Sequence, residues 1–457
     1  MLRLTDGQLR LWDRILPPEA TRLSEELAKV DKWLSNEELF EPYRKKFRTR
    51  TGRPTVPVDT FLRLMYLKSR YNLGYESLVQ EVTDSLQWRR FCRIPLDGRV
   101  PDPSTLIKLV KRYGDDTVKE VNKQLMGQAR EHKVLKGRKL RVDTTVVEAN
   151  IHHPTDASLL ADGIHVITRT IKKIKAVASE AVGSFRDRGR TVKKHLLEIA
   201  KVLRRRTGEA YQEVRRITGE IMDVTKEVTR AANRVASRVK EAIEKATDDR
   251  VLKAKKLIER LESQIAVTEK VIQQTQEVQN GNTHIPNRIV SMFDPDARPI
   301  PKGKLKAPTE FGYKVVLGES EERLITDYDV FVGNPSDESL LLDVVDHHKE
   351  IIDSQLKEVA TDRGFTSQNN ERELMIRDVI NISLPCRGKP SKTRQEVERR
   401  PWFRRLQRWR AGQEATIGLL KSRYGLARSR SRGLPGTKSW VGFGVLAYNL
   451  RRLSVIG

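Results

Sequence analysis

The fold is decided by residues 140–147, which read Leu140-Arg141-Val142-Asp143-Thr144-Thr145-Val146-Val147. A run so rich in β-branched residues is typical of a strand buried inside a sheet. Asp143 lies in the middle of this run, where a carboxylate without a partner would be costly to bury. It therefore needs a ligand, or else it has a structural role such as an ion pair with Arg141.

The residues after this strand predict the rest of a mixed α/β layer. Two strand patterns over 312–317 and 324–332 are separated by a polar turn and predict a hairpin. A helix is expected from Ser336, whose hydroxyl can cap it, to residue 352. A strand over 356–361, a short strand over 379–384, a flexible loop over 385–400 and a last helix over 402–424 complete the layer.

Four domains are predicted: a helical amino-terminal domain over 1–115, a linker with the first core strand over 116–167, a helical insertion over 168–280, and the remainder of the core with a basic tail over 281–457. Short helices are expected at 22–32, 57–71, 75–84 and 104–113. Together with the basic run at 44–53 they suit a DNA-binding domain, and a helical dimerisation domain is the alternative.

The insertion lacks proline from 168 to 279, and Ile, Val and Leu recur every three or four residues among many charges. This pattern predicts long helices, which antiparallel hairpins would accommodate. Its dense basic residues, for example Lys193-Lys194 and Arg204-Arg205-Arg206, could follow a DNA backbone or simply form a solvated face.

The composition favours a polyanionic partner, since the chain has 87 Lys and Arg but 61 Asp and Glu, a net charge of +26. No apolar run is long enough to span a membrane, and the first residues lack a signal-peptide pattern, so a cytosolic protein is expected. Cys92 and Cys386 form no CxxC pair and are expected to be reduced and structural.

Two further acids stand out in the second half of the chain. Asp362 closes a predicted strand in the order Asp362-Arg363-Gly364-Phe365, which would place its carboxylate at the strand's carboxyl edge, where ligand sites are common. An Asx-turn is the alternative role for it. Glu414 is the only acid between Pro401 and Gly457, and it shares a helix face with Arg410 and Lys421, although an ordinary ion-pair ladder would explain that spacing too.

Taken together, these residues resemble insertion-sequence transposases. The spacing Arg410-(3)-Glu414-(6)-Lys421 looks like that family's Tyr-(2)-Arg-(3)-Glu-(6)-Lys signature, and Asp143-Thr144-Thr145 looks like its first-aspartate motif. The second-aspartate motif is matched by 362–365 with Asn369, and 57–113 and 150–160 are similar as well. Departures are Gln407, where the signature has tyrosine, and the insertion that sets Asp143 and Asp362 219 positions apart.

The resemblance implies an α/β RNase H-like catalytic core with a mostly α-helical amino-terminal domain and a long α-helical insertion. It implies that Asp143, Asp362 and Glu414 hold two Mg²⁺ or Mn²⁺ ions, which catalyse DNA strand cleavage and strand transfer. Three clustered carboxylates would raise one another's pKa unless a cation joined them. Arg410 and Lys421 would approach DNA phosphates.

The implied partners are the transposon's terminal inverted repeats and target DNA, with at least a dimer of this chain in the bacterial cytoplasm. Two alternatives stay open: a catalytically inactive, transposase-derived DNA-binding protein, and a coiled-coil structural protein built on 168–279. The pairs His152-His153 and His347-His348 are expected to be structural or, for the first pair, in contact with DNA, because Mg²⁺ prefers oxygen ligands.

Overall fold

The computed structural model describes Pro17, Glu19 and residues 22–46, 55–244, 250–282, 284–301 and 309–456. The chain forms two compact units: one comprises Met1–Asn150 with Lys302–Gly457, and the other is Ile151–Pro301. Most of the basic run at 44–53 lies outside the described residues.

The first unit is built on a mixed sheet. Its strands are β1 (Lys139–Glu148), β2 (Thr309–Ser320), β3 (Ile325–Val332), β4 (Glu358–Thr361) and β5 (Asn381–Ser383), which lie side by side in the order β3-β2-β1-β4-β5. β2 is antiparallel to both β1 and β3, whereas β4 is parallel to both β1 and β5. The carboxyl ends of β1 and β4 therefore meet at one edge of the sheet, and the predicted strands are confirmed.

Burial explains why β1 forms the centre of this sheet. Leu140 and Val142 pack with Val316 of β2 and with Val344 and Val345 of helix Leu341–Ile351 in one hydrophobic cluster. Gly318 of β2 lies so close to Val344 that an added Cβ would overlap its side chain. The apolar half of the β-branched run thus faces this helix.

The amino-terminal part of the first unit is helical, as predicted. Its main helices are Glu25–Trp33, Val58–Arg70, Tyr75–Asp84, Leu86–Phe91 and Pro103–Glu131. The last begins with Asp102, whose carboxylate accepts from the Ser104 N–H, followed by Pro103. Gly114, with φ 78°, breaks that helix next to the predicted end at 113, but the chain resumes helical geometry to Glu131.

A helix that the sequence did not predict, Gly433–Ile456, packs against these amino-terminal helices and β3. The Phe443 ring meets Phe61 edge-on, and Phe61 in turn contacts Tyr43 and Tyr113. Because this helix is buried over most of its surface, it lacks the polar stripe by which an amphipathic helix is recognised. The predicted basic tail is therefore largely a core element.

Three local predictions in the first unit are wrong. Ser336 forms no side-chain cap; residues Asp337–Leu340 form a 3₁₀ turn, and the α-helix begins at Leu341. The predicted loop at 385–400 contains helix Lys392–Arg399, capped by the Ser391 hydroxyl. The predicted helix at 402–424 is two helices, Pro401–Ala411 and Gln413–Arg423, which meet at Gly412.

The second unit is helical, which confirms the character of the predicted insertion. Its long helices are Asp156–Lys175, Gly189–Val202, Gly208–Glu244 and Arg250–Gln279, with a short helix Ser179–Val182 and a short strand Arg298–Pro301. The first begins at Asp156, earlier than expected, because Thr155 and Ser158 form a capping box. Gly163 packs against Thr268, so close helix contact fixes this core.

In the described residues, no helix is both long enough and apolar enough to cross a membrane.

Candidate active site

Two of the three acids singled out from the sequence lie together just beyond the last paired residues of β1 and β4. Val142 of β1 is in register with Thr361 of β4, so Asp143 and Asp362 follow at the same level on neighbouring parallel strands. Adjacent strands are about 4.8 Å apart, which makes the two carboxylates neighbours. Strand pairing therefore brings together two aspartates that are 219 positions apart in the sequence.

Asp143 is held by one backbone bond and one cation. The Thr144 N–H donates to its Oδ1 at 2.8 Å, and Arg410 Nη1 lies 3.4 Å from its Oδ2. Burial raises the pKa of Asp143 to about 6, and the charges of Asp362 and Asp337 add to this rise, which the Arg410 guanidinium opposes. Asp143 thus experiences the electrostatic crowding expected of clustered acids.

The structural role considered for Asp143, an ion pair with Arg141, does not occur. Arg141 instead forms a buried, two-pronged pair with Glu319 of β2, at 2.6 and 3.2 Å. Adjacent residues in a strand point to opposite faces, which is why Arg141 and Asp143 differ from Leu140 and Val142 in their surroundings.

Asp362 combines both roles that the sequence allowed. The Gly364 N–H donates to its Oδ1 at 2.8 Å, so the residue does form an Asx-type turn. Its carboxylate nevertheless lies at the strand edge, and its pKa is raised by burial and by the charge of Asp337, against the lowering effect of Arg410 and Lys314. The turn orients the carboxylate rather than replacing its role at the edge.

Sequence reasoning missed Asp337 and Lys314. Lys314 Nζ lies 2.5 Å from Asp337 Oδ1, and the Thr144 hydroxyl donates to the same oxygen at 3.1 Å. Lys314 could have drawn attention to this pair, because it is a lysine directly before the apolar strand residues Val315-Val316-Leu317. A buried cation of this kind implies an acidic partner.

Gln407 fastens the helix that carries Arg410 to the sheet. Its Nε2 donates to the carbonyls of Thr361 and Ser383, at 3.2 and 2.9 Å, which are the last residues of β4 and β5. Gln407, which stands where the family's signature has tyrosine, therefore has a structural role next to Asp362.

The break at Gly412 follows from Arg141. Its Nη1 donates to the Trp409 carbonyl at 2.5 Å, and a Cβ at Gly412 would lie 2.9 Å from that nitrogen. Beyond the break, the Gln413 amide donates to the Leu317 carbonyl and the Thr416 hydroxyl donates to Glu319. Both helices are thus pinned to β1 and β2.

Glu414 lies in the first turn of helix Gln413–Arg423, about one turn after Arg410, and its side chain is exposed. No hydrogen bond or ion pair joins Glu414 to another residue that the structure describes. Lys421, further along the same helix, is half-buried. Among the described residues, no group of three or more His, Cys, Asp or Glu is placed to hold a metal ion. The structure therefore joins Asp143 and Asp362, together with Arg410, and leaves the role of Glu414 a prediction.

The Asp143–Asp362 pair fits a divalent cation in its chemistry. Both are oxygen ligands, which Mg²⁺ and Mn²⁺ prefer, and the charge of Asp362 raises the pKa of Asp143, a penalty that a bound cation would relieve. The N–H groups of Thr144 and Gly364 each bind one oxygen of the neighbouring carboxylate, Oδ1 in both cases. The second oxygen of Asp143 pairs with Arg410 at 3.4 Å, so a bound cation would share that oxygen with Arg410 or displace the guanidinium.

The histidine pairs have ordinary structural partners. His348 is buried between the Thr326 hydroxyl and the Gly137 carbonyl, and His347 pairs with Asp327. His152 lies 3.5 Å from Asp162. Cys92 and Cys386 are free thiols, as predicted.

Comparison with known proteins gives two family matches. Residues 12–112 match the model described as Transposase domain (DUF772), and residues 283–450 match Transposase DDE domain. A curated relative, "Uncharacterized protein ORF8 in nfe locus" from Rhizobium meliloti, is 29% identical over 155 residues, covering 32% of this chain and 72% of its own length. No solved structure matches.

Proposed function

Because the chain belongs to the DDE transposases of insertion sequences, we propose that it cuts DNA at transposon ends and joins the freed ends to target DNA. One observation carries the proposal: Asp143 and Asp362 lie side by side where the pairing of β1 with β4 ends, facing Arg410. Two neighbouring acids with a cation across them suit phosphodiester chemistry.

We infer that the sheet and its helices form an RNase H-like core. The support is the strand order β3-β2-β1-β4-β5, with an antiparallel meander of three strands followed by two parallel strands. In this arrangement the first aspartate falls on the central strand and the second on its parallel neighbour.

Asp143, Asp362 and Glu414 are the residues proposed to hold two Mg²⁺ or Mn²⁺ ions. When bound, such ions activate the attacking oxygen and stabilise the leaving oxygen in an in-line displacement at phosphorus. Glu414 lies in the first turn of helix Gln413–Arg423 with its side chain exposed, so its side chain would have to turn toward the other two acids to join them.

The chain's own residues have separable parts in this proposal. The N–H groups of Thr144 and Gly364 orient the two aspartates. Arg410 neutralises Asp143 and lies where it can also contact a phosphate. Lys421, on the next helix, is proposed as a second phosphate contact. The net charge of +26 supplies the long-range attraction for DNA.

The proposed partners are the terminal inverted repeats and target DNA. Joining two transposon ends in one complex requires two active sites, so at least a dimer is proposed. Such an enzyme would act on the chromosome in the bacterial cytoplasm.

An inactive, DNA-binding derivative is the second candidate, and the observation that favours it is the exposed side chain of Glu414, which pairs with no other residue that the structure describes. The two candidates differ in cleavage, since both bind transposon ends.

A supercoiled-plasmid excision assay with Mg²⁺ separates them. Wild type should release the transposon. Asp143→Asn, Asp362→Asn and Glu414→Gln should each lose at least about 100-fold in rate, because even groups that only orient metal ligands contribute about 10- to 100-fold. Glu396→Gln, at another exposed glutamate in helix Lys392–Arg399, is the matched control and should retain activity.

Full excision by Glu414→Gln would remove Glu414 from the site. No excision by wild type, with end binding retained in a gel-shift experiment, would establish the binding-only protein.

A further inference from the structure

Asp337 lies at the start of the 3₁₀ turn Asp337–Leu340, and its carboxylate is held by an ion pair with Lys314. Lys314 is buried, and its ammonium meets Asp337 Oδ1 at 2.5 Å, Asn334 Oδ1 at 3.0 Å and the Pro335 carbonyl at 2.6 Å. An ammonium has three N–H donors, so these three acceptors satisfy it. Lys314 is therefore committed to this turn and does not serve as a DNA contact.

The other contacts of Asp337 reach the residues beside both candidate metal ligands. The Thr144 hydroxyl donates to Asp337 Oδ1 at 3.1 Å, while the Thr144 N–H donates to Asp143. On the other side, Asp337 Oδ2 lies so close to Gly364 that an added Cβ would overlap it, while the Gly364 N–H donates to Asp362. One carboxylate thus touches the two residues whose N–H groups orient the two aspartates.

The turn that carries Asp337 is itself tied to the chain after Asp362. The buried side chain of Asn370, in helix Gln368–Ile376, donates to the carbonyls of Glu338 and Phe365, both at 2.8 Å. Arg387 joins the Glu338 carboxylate at 2.7 Å to the Arg363 carbonyl at 2.9 Å. Asp337 therefore cannot shift without moving the loop that positions Asp362.

We propose that Asp337, anchored by Lys314, is a positioning residue that fixes Thr144 and Gly364 and so sets the spacing of Asp143 and Asp362 for metal binding. The inference rests on the proposed function. Asp337 is not itself a proposed metal ligand, because its Oδ1 accepts from both Lys314 and Thr144 and its Oδ2 lies against Gly364. Groups that orient metal ligands in this way typically change metal affinity about 10- to 100-fold when removed.

The test measures metal binding directly, by calorimetric titration of Mn²⁺ into the full, metal-free chain. Asp337→Asn retains the size of the side chain but loses the charge that holds Lys314 and one of the acceptors. Its Mn²⁺ affinity should fall at least about 10-fold. Asp343→Asn, at an exposed aspartate in the next helix, is the matched control and should bind as wild type does.

Thr144→Val provides a second variant if Asp337→Asn does not fold, as judged by circular dichroism. It removes only the hydroxyl link to Asp337 and leaves the Lys314 pair intact. A folded Thr144→Val with reduced Mn²⁺ affinity supports the proposal, and wild-type affinity in this variant overturns it. Gel-shift binding of transposon ends in EDTA should be unchanged in both variants.

The outcomes separate the inference from the function on which it rests. If Asp143→Asn and Asp362→Asn abolish Mn²⁺ binding while folded Asp337→Asn binds within about twofold of wild type, the positioning role is wrong and the proposed function stands. If the Asp143 and Asp362 variants bind Mn²⁺ as wild type does, the metal site itself is wrong, and the positioning role falls with it.

Discussion

Replacing Arg141 with methionine should destabilise the first unit strongly. The side chains of Arg141 and Glu319 are 2% and 0% exposed, and the substitution would leave the Glu319 carboxylate buried, with the Thr416 hydroxyl as its remaining side-chain hydrogen-bond donor among the described residues. Removing one partner of a buried ion pair costs about 3–5 kcal/mol. The Trp409 carbonyl also loses its Arg141 donor, so the expected loss in free energy of unfolding is about 4 kcal/mol.

Urea denaturation followed by tryptophan fluorescence is a suitable assay, because all six tryptophans belong to the first unit. Arg428→Met is the matched control: it breaks an exposed pair with Glu148 of the same strand and should cost less than about 1 kcal/mol. The double variant Arg141→Met/Glu319→Leu should regain much of the stability, since no charge remains buried. A loss below about 1 kcal/mol for Arg141→Met would refute this account of how the helices are pinned.

Three further outcomes are expected. Burial lowers the pKa of His348 to about 4, so folding favours its neutral form. The resulting stability is complete above pH 6.5 and is lost as the pH falls toward 4, by up to about 3 kcal/mol. The urea midpoint of His348→Gln should therefore decline less steeply than that of wild type over this pH window. Gly364→Ala should reduce plasmid excision at least about 10-fold by displacing Asp337, whereas Gly418→Ala, at a helical glycine with open space around it, should keep full activity and gain slightly in thermal stability. Gln407→Leu leaves the Thr361 and Ser383 carbonyls without this donor and should cost about 1–3 kcal/mol in unfolding free energy together with a fall in excision, and unchanged stability would show that the amide bonds are dispensable.

The strands, the amino-terminal helices and the helical character of the insertion were predictable because each has a strong local period or a β-branched run. Helix Gly433–Ile456 was not, since its burial on most sides removes the polar face that marks a helix. The break at Gly412 lies beside the hydrogen bond from Arg141, more than 250 residues earlier in the chain, to the Trp409 carbonyl. An isolated glycine in a helical pattern does not by itself require a break, so this contact could not be read from the local sequence.

The candidate site shows the same division. Asp143 and Asp362 could be recognised because each has a local context, a β-branched strand and a turn glycine, and strand pairing then brings them together. Asp337 follows a stretch of turn residues and looks like an ordinary solvated acid, so only the tertiary contacts with Lys314, Thr144 and Gly364 reveal it. The exposure of Glu414 likewise follows from the packing of its helix, which the residue spacing alone does not determine.

The pairing of β1 with β2 also governs the order of events on the ribosome. β1 ends at Glu148 and β2 begins at Thr309, so the nascent chain must grow by roughly 160 residues before the central strand meets its first neighbour. At bacterial synthesis rates this takes about 10–30 s. During that interval the β-branched strand has neither edge covered by β2 or β4, while the insertion can already assemble from its own contacts. Early collapse of the insertion would leave β1 as the segment most exposed to chaperones or to self-association during synthesis.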